Sequence, residues 1–227
     1  DIAYEDENLL IVNKEPYIIV HPTQKKVDKT LANAVVNYFE KTLGKTLVPR
    51  FYNRLDMNTS GLIIVTKNAY TQAFLQDKTE VKKTYKVIAS GIIEEDDFFI
   101  EKPIGKIGDD LRRIELSEEN GGKSAKTHIK ILERNYDKNI TFLEARLYTG
   151  RTHQIRAHLS LIGHSLVGDE LYGGNMELAK RQMLHAYKLE FQNPKTLENL
   201  KIEIDIPLDM KEVLKWYWLS FEVVIKK

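Results

Sequence analysis

Apolar residues in this chain fall mostly into short runs of strand length, broken by glycine, proline and asparagine. Eight such runs predict strands: "LLIVN" (9–13), "YIIVH" (17–21), "GLIIVTK" (61–67), "TYKVIASG" (84–91), "AKTHIKILE" (125–133), "ITFLEARLY" (140–148), "YKLEF" (187–191) and "LKIEIDI" (200–206). In "THIKILE" and "LKIEIDI" apolar and polar residues alternate, the period of a half-buried strand. Helical spacing is confined to 30–43, 69–77, 151–163 and 209–219; in the first, Leu31, Ala34, Val35, Tyr38 and Phe39 lie on one face. "EEDD" (94–97) predicts a surface loop and "EENGGK" (118–123) a turn between strands. Strands outnumber helices and do not alternate with them as βαβ units would. The pattern therefore predicts an α+β fold with a large mixed, mainly antiparallel β-sheet. With no repeat or low-complexity linker, the 227 residues are expected to form one domain spanning 1–227.

Composition adds exclusions. There is no cysteine, so disulfides and thiolate zinc sites are ruled out. No run approaches the roughly 18 apolar residues of a membrane span; the nearest, "WYWLSF" (216–221), is short and followed by Glu222. The first residues are acidic with a short apolar run, unlike a secretory signal, and the expectation is a cytoplasmic protein. Net charge is +1, but it is spread unevenly. Residues 45–90 hold eight basic side chains against three acidic, and residues 92–120 hold ten acidic against four basic. The first segment could meet a polyanion, because counterion release depends on the contacted face.

"NRLDMNTSGLII" (53–64) sets Asp56 between an arginine and an apolar run. If 49–55 and 61–67 are strands, Asp56 starts their connection and Gly61 lets the backbone turn back into the core. The commonest use of such an aspartate is a turn, bonded to the amides of Asn58 or Thr59. A reacting aspartate needs a cation to keep it ionised in a partly dry cleft. "GRTHQIRAHLSLIG" (150–163) offers two. On a helix over 152–162, Ile155, Leu159 and Ile162 form the buried stripe and Arg156 lies beside it; Arg151 falls at the helix start, where a phosphate could share the amides. Each could equally be a surface arginine. His153 and His158, five apart, diverge by roughly 140° around a helix, unlike a metal-binding pair, and no metal is expected. His185 is expected to be hydrogen-bonded within the fold. In "KKTYKV" (82–87), Lys82 and Lys83 could hold phosphates while Tyr85 stacks on an unpaired base.

These stretches together resemble the RluA family of pseudouridine synthases. "YEDENLLIVNKEPYIIVHP" (4–22) is similar to its opening motif, "NRLDMNTSGLIIVTK" (53–67) to its catalytic motif, and "KKTYKV" to the segment with its active-site tyrosine. "GGKSAKTHIKIL" (121–132), "TGRTHQIRAHLSLIGHSLVGDELYG" (149–173) and "LHAYKLEF" (184–191) follow in the family's order. Asn53 stands where the family usually has histidine, and "NKEPY" replaces the commoner N-K-P-x-G. Many members carry an S4 RNA-binding domain upstream; this sequence begins at the opening motif without a methionine, so further residues upstream are expected.

The resemblance implies two lobes around a central catalytic cleft and isomerisation of uridine to pseudouridine in RNA, with no cofactor. Asp56 would be the nucleophile, or the base that removes the C2′ proton on the way to a glycal. Arg156 would pair with it and keep it ionised, so that Arg156→Ala should stop turnover yet leave folding largely intact. Tyr85 would pack on the target base and help remove its C5 proton. Arg54 would fill the gap left by the flipped nucleotide. Arg151, Lys82, Lys83 and His153 would contact RNA. The expected partner is structured RNA, large-subunit ribosomal RNA first and tRNA second, and the expected state is a monomer. Two other classes compete: a silent RNA-binding relative acting in RNA folding or ribosome assembly, and a glycosidase-like hydrolase, which would need a second carboxylate.

Overall fold

Seven consecutive buried residues, Ser60–Thr66, form the strand on which the molecule is organised. Burying each of its large aliphatic side chains contributes about 1.5–3 kcal/mol, and Leu62, Ile63, Ile64 and Val65 are fully inaccessible. The computed structural model describes residues 1–23, 27–44 and 46–215. Within them lie β1 (Ile2–Glu5), β2 (Leu9–Lys14), α1 (Leu31–Leu43), β3 (Arg50–Phe51), β4 (Ser60–Thr66), α2 (Ala69–Asp77), β5 (Lys82–Ser90) and β6 (Asp97–Glu101). There follow β7 (Ile104–Gly105), β8 (Ile114–Glu115), β9 (Lys126–Asn135), β10 (Ile140–Leu147), α3 (Gln154–Leu161), β11 (Leu184–Gln192), β12 (Asn199–Glu203) and α4 (Leu208–Leu214).

A ten-stranded sheet runs in the order β1-β2-β4-β11-β5-β10-β9-β6, with β3 added to β4 and β12 to β11. Its pairs are antiparallel except β4 with β11, where Ser60 faces His185 and Gly61 faces Ala186. Gly61 is obligatory there: φ is +113°, and a Cβ would lie 2.3 Å from the Ala186 carbonyl oxygen. The mixed, mainly antiparallel sheet expected of the sequence is therefore the one observed. The main core lies on one face, where Val87, Ile129, Leu143 and Ala145 pack with Val35 and Phe39 of α1 and Ile155 and Leu159 of α3.

Helix α1 follows its sequence pattern closely. Thr30 and Asn33 form a reciprocal capping box, and Gly44 closes the helix in the left-handed conformation. "YIIVH" is not a strand. Tyr17 has φ +66°, and the carbonyls of Ile19 and Val20 accept from Leu31 and Ala32 at 2.9 and 3.0 Å. The run is spent on satisfying the free amides of α1 rather than a neighbouring strand. The strand expected over 49–55 shrinks to β3, and "EEDD" ends in β6, whose aromatic centre outweighs its acidic start. "EENGGK" is a 3-10 turn at Glu118–Asn120 closed by Gly121. Of the helix expected over 209–219, Leu208–Leu214 is helical; residues 216–219, and with them "WYWLSF", lie outside the described residues.

Candidate active site

A cleft of about 660 Å³ opens over the β4–β11–β5 part of the sheet. One wall comes from residues 19–23 and 52–59, the other from 147–156 with Arg113. Asp56 sits at its floor, in the turn that leads into β4, with its backbone carbonyl accepting from Thr59 N at 3.0 Å. The turn expected from the sequence is thus made by the main chain. The carboxylate is used elsewhere: Asp56 Oδ2 accepts from Arg156 Nη1 at 2.7 Å. Asn53 explains how the loop is held beside β4, since its side chain accepts from Ile64 N at 2.9 Å and donates to Leu62 O at 3.2 Å. Below the turn, the buried Lys14 donates to the carbonyl of Met57 at 3.0 Å. Burial, and then the charge of Arg181, pull its ammonium down to about 8.

Arg156 is buried on α3 and spends all three guanidinium nitrogens on acids. Besides Asp56, it donates from Nε and Nη2 to the two oxygens of Asp169, at 2.7 and 2.8 Å. Asp169 is 1% exposed, and its carboxylate is the fixed end of the relay, whereas the Asp56 side chain is 29% exposed to the cleft. Burial alone would lower the Arg156 value, but the bonds to Asp169 and the two carboxylate charges outweigh it and hold the guanidinium protonated. The Tyr172 ring lies against its cationic carbon, with a centroid distance of 5.0 Å.

The loop before α3 is built on Gln154, whose side chain satisfies four groups. Its oxygen accepts from Arg151 N at 3.0 Å and Thr149 Oγ1 at 2.8 Å; its nitrogen donates to Lys126 O at 3.1 Å and Thr127 Oγ1 at 3.0 Å. Because the helix begins at Gln154, Arg151 is not at its start. Arg151 is instead an exposed cleft residue with Nε on the Ser124 carbonyl at 3.0 Å. His153 takes a left-handed conformation, φ +57°, that costs a non-glycine residue about 1 kcal/mol. It places Nε2 3.6 Å from Asp56 Oδ2, too long for a hydrogen bond. Burial and then the Arg156 and Arg113 guanidiniums push the His153 imidazole down, against the pull of Asp56 and Asp169.

Tyr85 stands on β5 between Ala145 and Ala186 of the neighbouring strands, whose small side chains leave room for its ring. Burial, with the Asp56 charge added, raises its phenol above the ordinary value. Lys83 shares that face and lines the cleft; Lys82, one residue away on the pleated strand, does not. Arg54 is exposed on the opposite wall. His158 is a core residue bonded to Thr127 Oγ1 at 2.9 Å and the Lys102 carbonyl at 3.0 Å. His185 is likewise internal, 2.9 Å from Ser60 Oγ. The sequence reading thus missed Asp169, Gln154, Lys14, Tyr172 and Arg113. Asp169 had a signal, since it lies inside the quoted 149–173 motif.

Among the described residues, the charged groups lining the cleft are therefore five cations, Arg54, Lys83, Arg113, Arg151 and Arg156, around one carboxylate. The family model described as RNA pseudouridylate synthase matches residues 8–161, which include Asp56, Tyr85 and Arg156. The chain belongs to the RNA pseudouridylate synthase family. It is 38% identical over 221 residues to the uncharacterized RNA pseudouridine synthase YhcT of Bacillus subtilis, covering 96% of this chain and 72% of that protein. It is 36% identical over 233 residues to ribosomal large subunit pseudouridine synthase D of Neisseria meningitidis, covering 94% of this chain and 60% of that one. The structure of human RNA pseudouridylate synthase domain containing 1 superposes with TM-score 0.70 at 26% identity, over 90% of this chain and 82% of that one. The fold is the pseudouridine synthase fold, and the chain is an RNA pseudouridine synthase.

Proposed function

We propose that this pseudouridine synthase isomerises uridines in large-subunit ribosomal RNA, with Asp56 as the reacting carboxylate. The observation that carries the reading is the Asp169–Arg156–Asp56 relay, whose Arg156 and Asp56 line a cleft that also holds Arg54, Lys83, Arg113 and Arg151. In the reaction the C1′–N1 bond of uridine breaks, uracil turns, and a C1′–C5 bond forms. N1 gains a proton and C5 loses one, so nothing is added from outside. Asp56 is the nucleophile at the sugar or the base for the C2′ proton; both roles need the carboxylate to be held in one place, and Arg156 supplies the hold. Asp56 Oδ1 takes no hydrogen bond from the described residues and is available to the sugar.

Flipping the uridine out of its stack costs a few kcal/mol. Tyr85 offsets part of that by packing on the extruded base, and Arg54 takes the vacated stacking position. With its phenol held protonated, Tyr85 acts through its ring and its O–H rather than as a phenolate. Arg113, Arg151 and Lys83 hold the flanking phosphates. A hydrolase is disfavoured because the second carboxylate, Asp169, is buried and bonded through both oxygens to Arg156. The ribosomal target is supported by the relatives bearing that name, such as the Neisseria protein.

The test is tritium release from transcripts labelled at uridine C5, with large-subunit ribosomal RNA and tRNA assayed separately. Release from the ribosomal transcript is expected. Release from tRNA alone would overturn the substrate, and binding of both without release would favour the silent RNA-binding relative.

A further inference from the structure

A second buried arginine lies beneath the Asp56 turn, and nothing in the proposed chemistry uses it. Arg181 precedes β11 and is 1% exposed. Its Nε and Nη2 donate to the two carboxylate oxygens of Asp209 on α4, at 2.6 and 2.9 Å. Its Nη1 donates to the carbonyl of Asn58, two residues beyond Asp56, at 3.2 Å, and to those of Gln182 and Leu184 at 3.1 and 3.4 Å. The residues after it continue the grip. Gln182 Nε2 donates to Thr59 Oγ1 at 3.3 Å, His185 Nδ1 meets Ser60 Oγ at 2.9 Å, and Ala186 is the backbone against which Gly61 closes. Segment 181–186 thus holds 58–61 one residue after another.

Burying an arginine to pair it with an acid is a poor way to gain stability, because well-packed apolar side chains serve as well or better. An apolar side chain cannot aim a donor at a chosen carbonyl. The Asn58 carbonyl lies inside the turn that Thr59 N closes onto the Asp56 carbonyl at 3.0 Å, so its position fixes where the Asp56 side chain starts. We propose that Arg181 and Asp209 are a positioning pair for the isomerisation. Asp209 orients the Arg181 fork, and the fork sets the turn so that Asp56 meets Arg156 Nη1. Through this pair the helix α4, 150 residues away in sequence, acts on the catalytic turn. The inference rests on Asp56 being the reacting carboxylate.

The test uses Asp209→Asn and Arg181→Lys in the full chain. Asp209 is 43% exposed on its side chain, and asparagine keeps the oxygen that accepts from Met210 N at 2.8 Å, so this variant is expected to fold. Lysine at 181 keeps the charge and one donor but loses the fork. Tritium release is measured per folded molecule, with the folded fraction read from thermal unfolding. We expect kcat to fall about 10- to 100-fold in both variants, as for a misplaced reacting group, with KM for RNA within about twofold and Asp209→Glu partly restored. Unchanged kcat per folded molecule in both variants overturns the pair, even if melting temperatures fall. Wild-type protein in the same assay separates the two claims: no release by wild type counts against the reaction, whereas release by wild type with equal kcat in the variants counts against the pair.

Discussion

At the floor of the cleft Arg156, and beneath it Lys14 and Arg181, are buried, and each spends its donors on oxygens of the protein. On the rim, Arg54 is exposed and forms no hydrogen bond or ion pair with the described residues, and Arg151 keeps only its Nε on a carbonyl. The same residue type does opposite work in the two places. A desolvated, fully bonded guanidinium cannot draw RNA from solution, but it fixes a carboxylate to within the tolerance that catalysis needs. A solvated one fixes nothing, yet it adds to the field that attracts phosphates and is screened by salt.

The contrast breaks most sharply at Arg156. Arg156→Ala is expected to lower single-turnover tritium release about a thousandfold or more. It should also destabilise the fold by about 3–5 kcal/mol, because Asp169 is left buried with an unpaired charge. The sequence-based expectation that folding would survive is therefore corrected: Arg156 holds two acids, one of them buried. Urea unfolding checks this, and Arg156→Leu combined with Asp169→Leu should recover stability without recovering turnover.

Next comes pH. Burial and then the Arg181 charge push the His185 imidazole down to about 4 from its ordinary 6.5. Between those values the unfolded chain binds a proton that the fold refuses, so stability is intact above pH 6.5 and falls as pH drops toward 4. The loss is up to about 3 kcal/mol. His185→Gln, followed by unfolding at several pH values, should remove that share of the acid sensitivity. A smaller effect, about 10- to 100-fold in kcat, is expected for Asp169→Asn, which loosens one end of the relay while Arg156 keeps Asp56. Smallest is the rim: Arg151→Ala should raise KM severalfold at unchanged kcat and lower the slope of log affinity against log salt by about 0.7–1.

The floor and the rim were unequally legible. Strands β4, β5, β9 and β10 and helices α1 and α2 could be read because apolar run length and capping residues agree locally. "YIIVH" has the same composition, but its carbonyls are claimed by α1, a tertiary fact without local trace. Asp56 was ambiguous alone, since a turn aspartate and a reacting one look alike; it was the motif around it that favoured the second reading. Lys14 and Arg181 were passed over because charged residues are almost never fully buried unless paired, and the carbonyls they bond lie far away in sequence; Asp169 sits only 13 residues from Arg156, in a motif that was read for its arginines. Arg181 bonds Asn58 from 123 residues away. Lys82 and Lys83 were read together because they are adjacent in a basic stretch, and adjacency says nothing of direction; only Lys83 lines the cleft.

Asp56 is the group to which the proposed chemistry is assigned, and the most direct measurement is single-turnover tritium release by Asp56→Ala beside the wild type on the same ribosomal RNA. Since Arg156 keeps its two bonds to Asp169 in that variant, melting temperature and RNA affinity should stay near the wild-type values while release falls at least about a thousandfold. Release above about a tenth of the wild-type rate, from a folded variant, would contradict the assignment of the chemistry to this carboxylate.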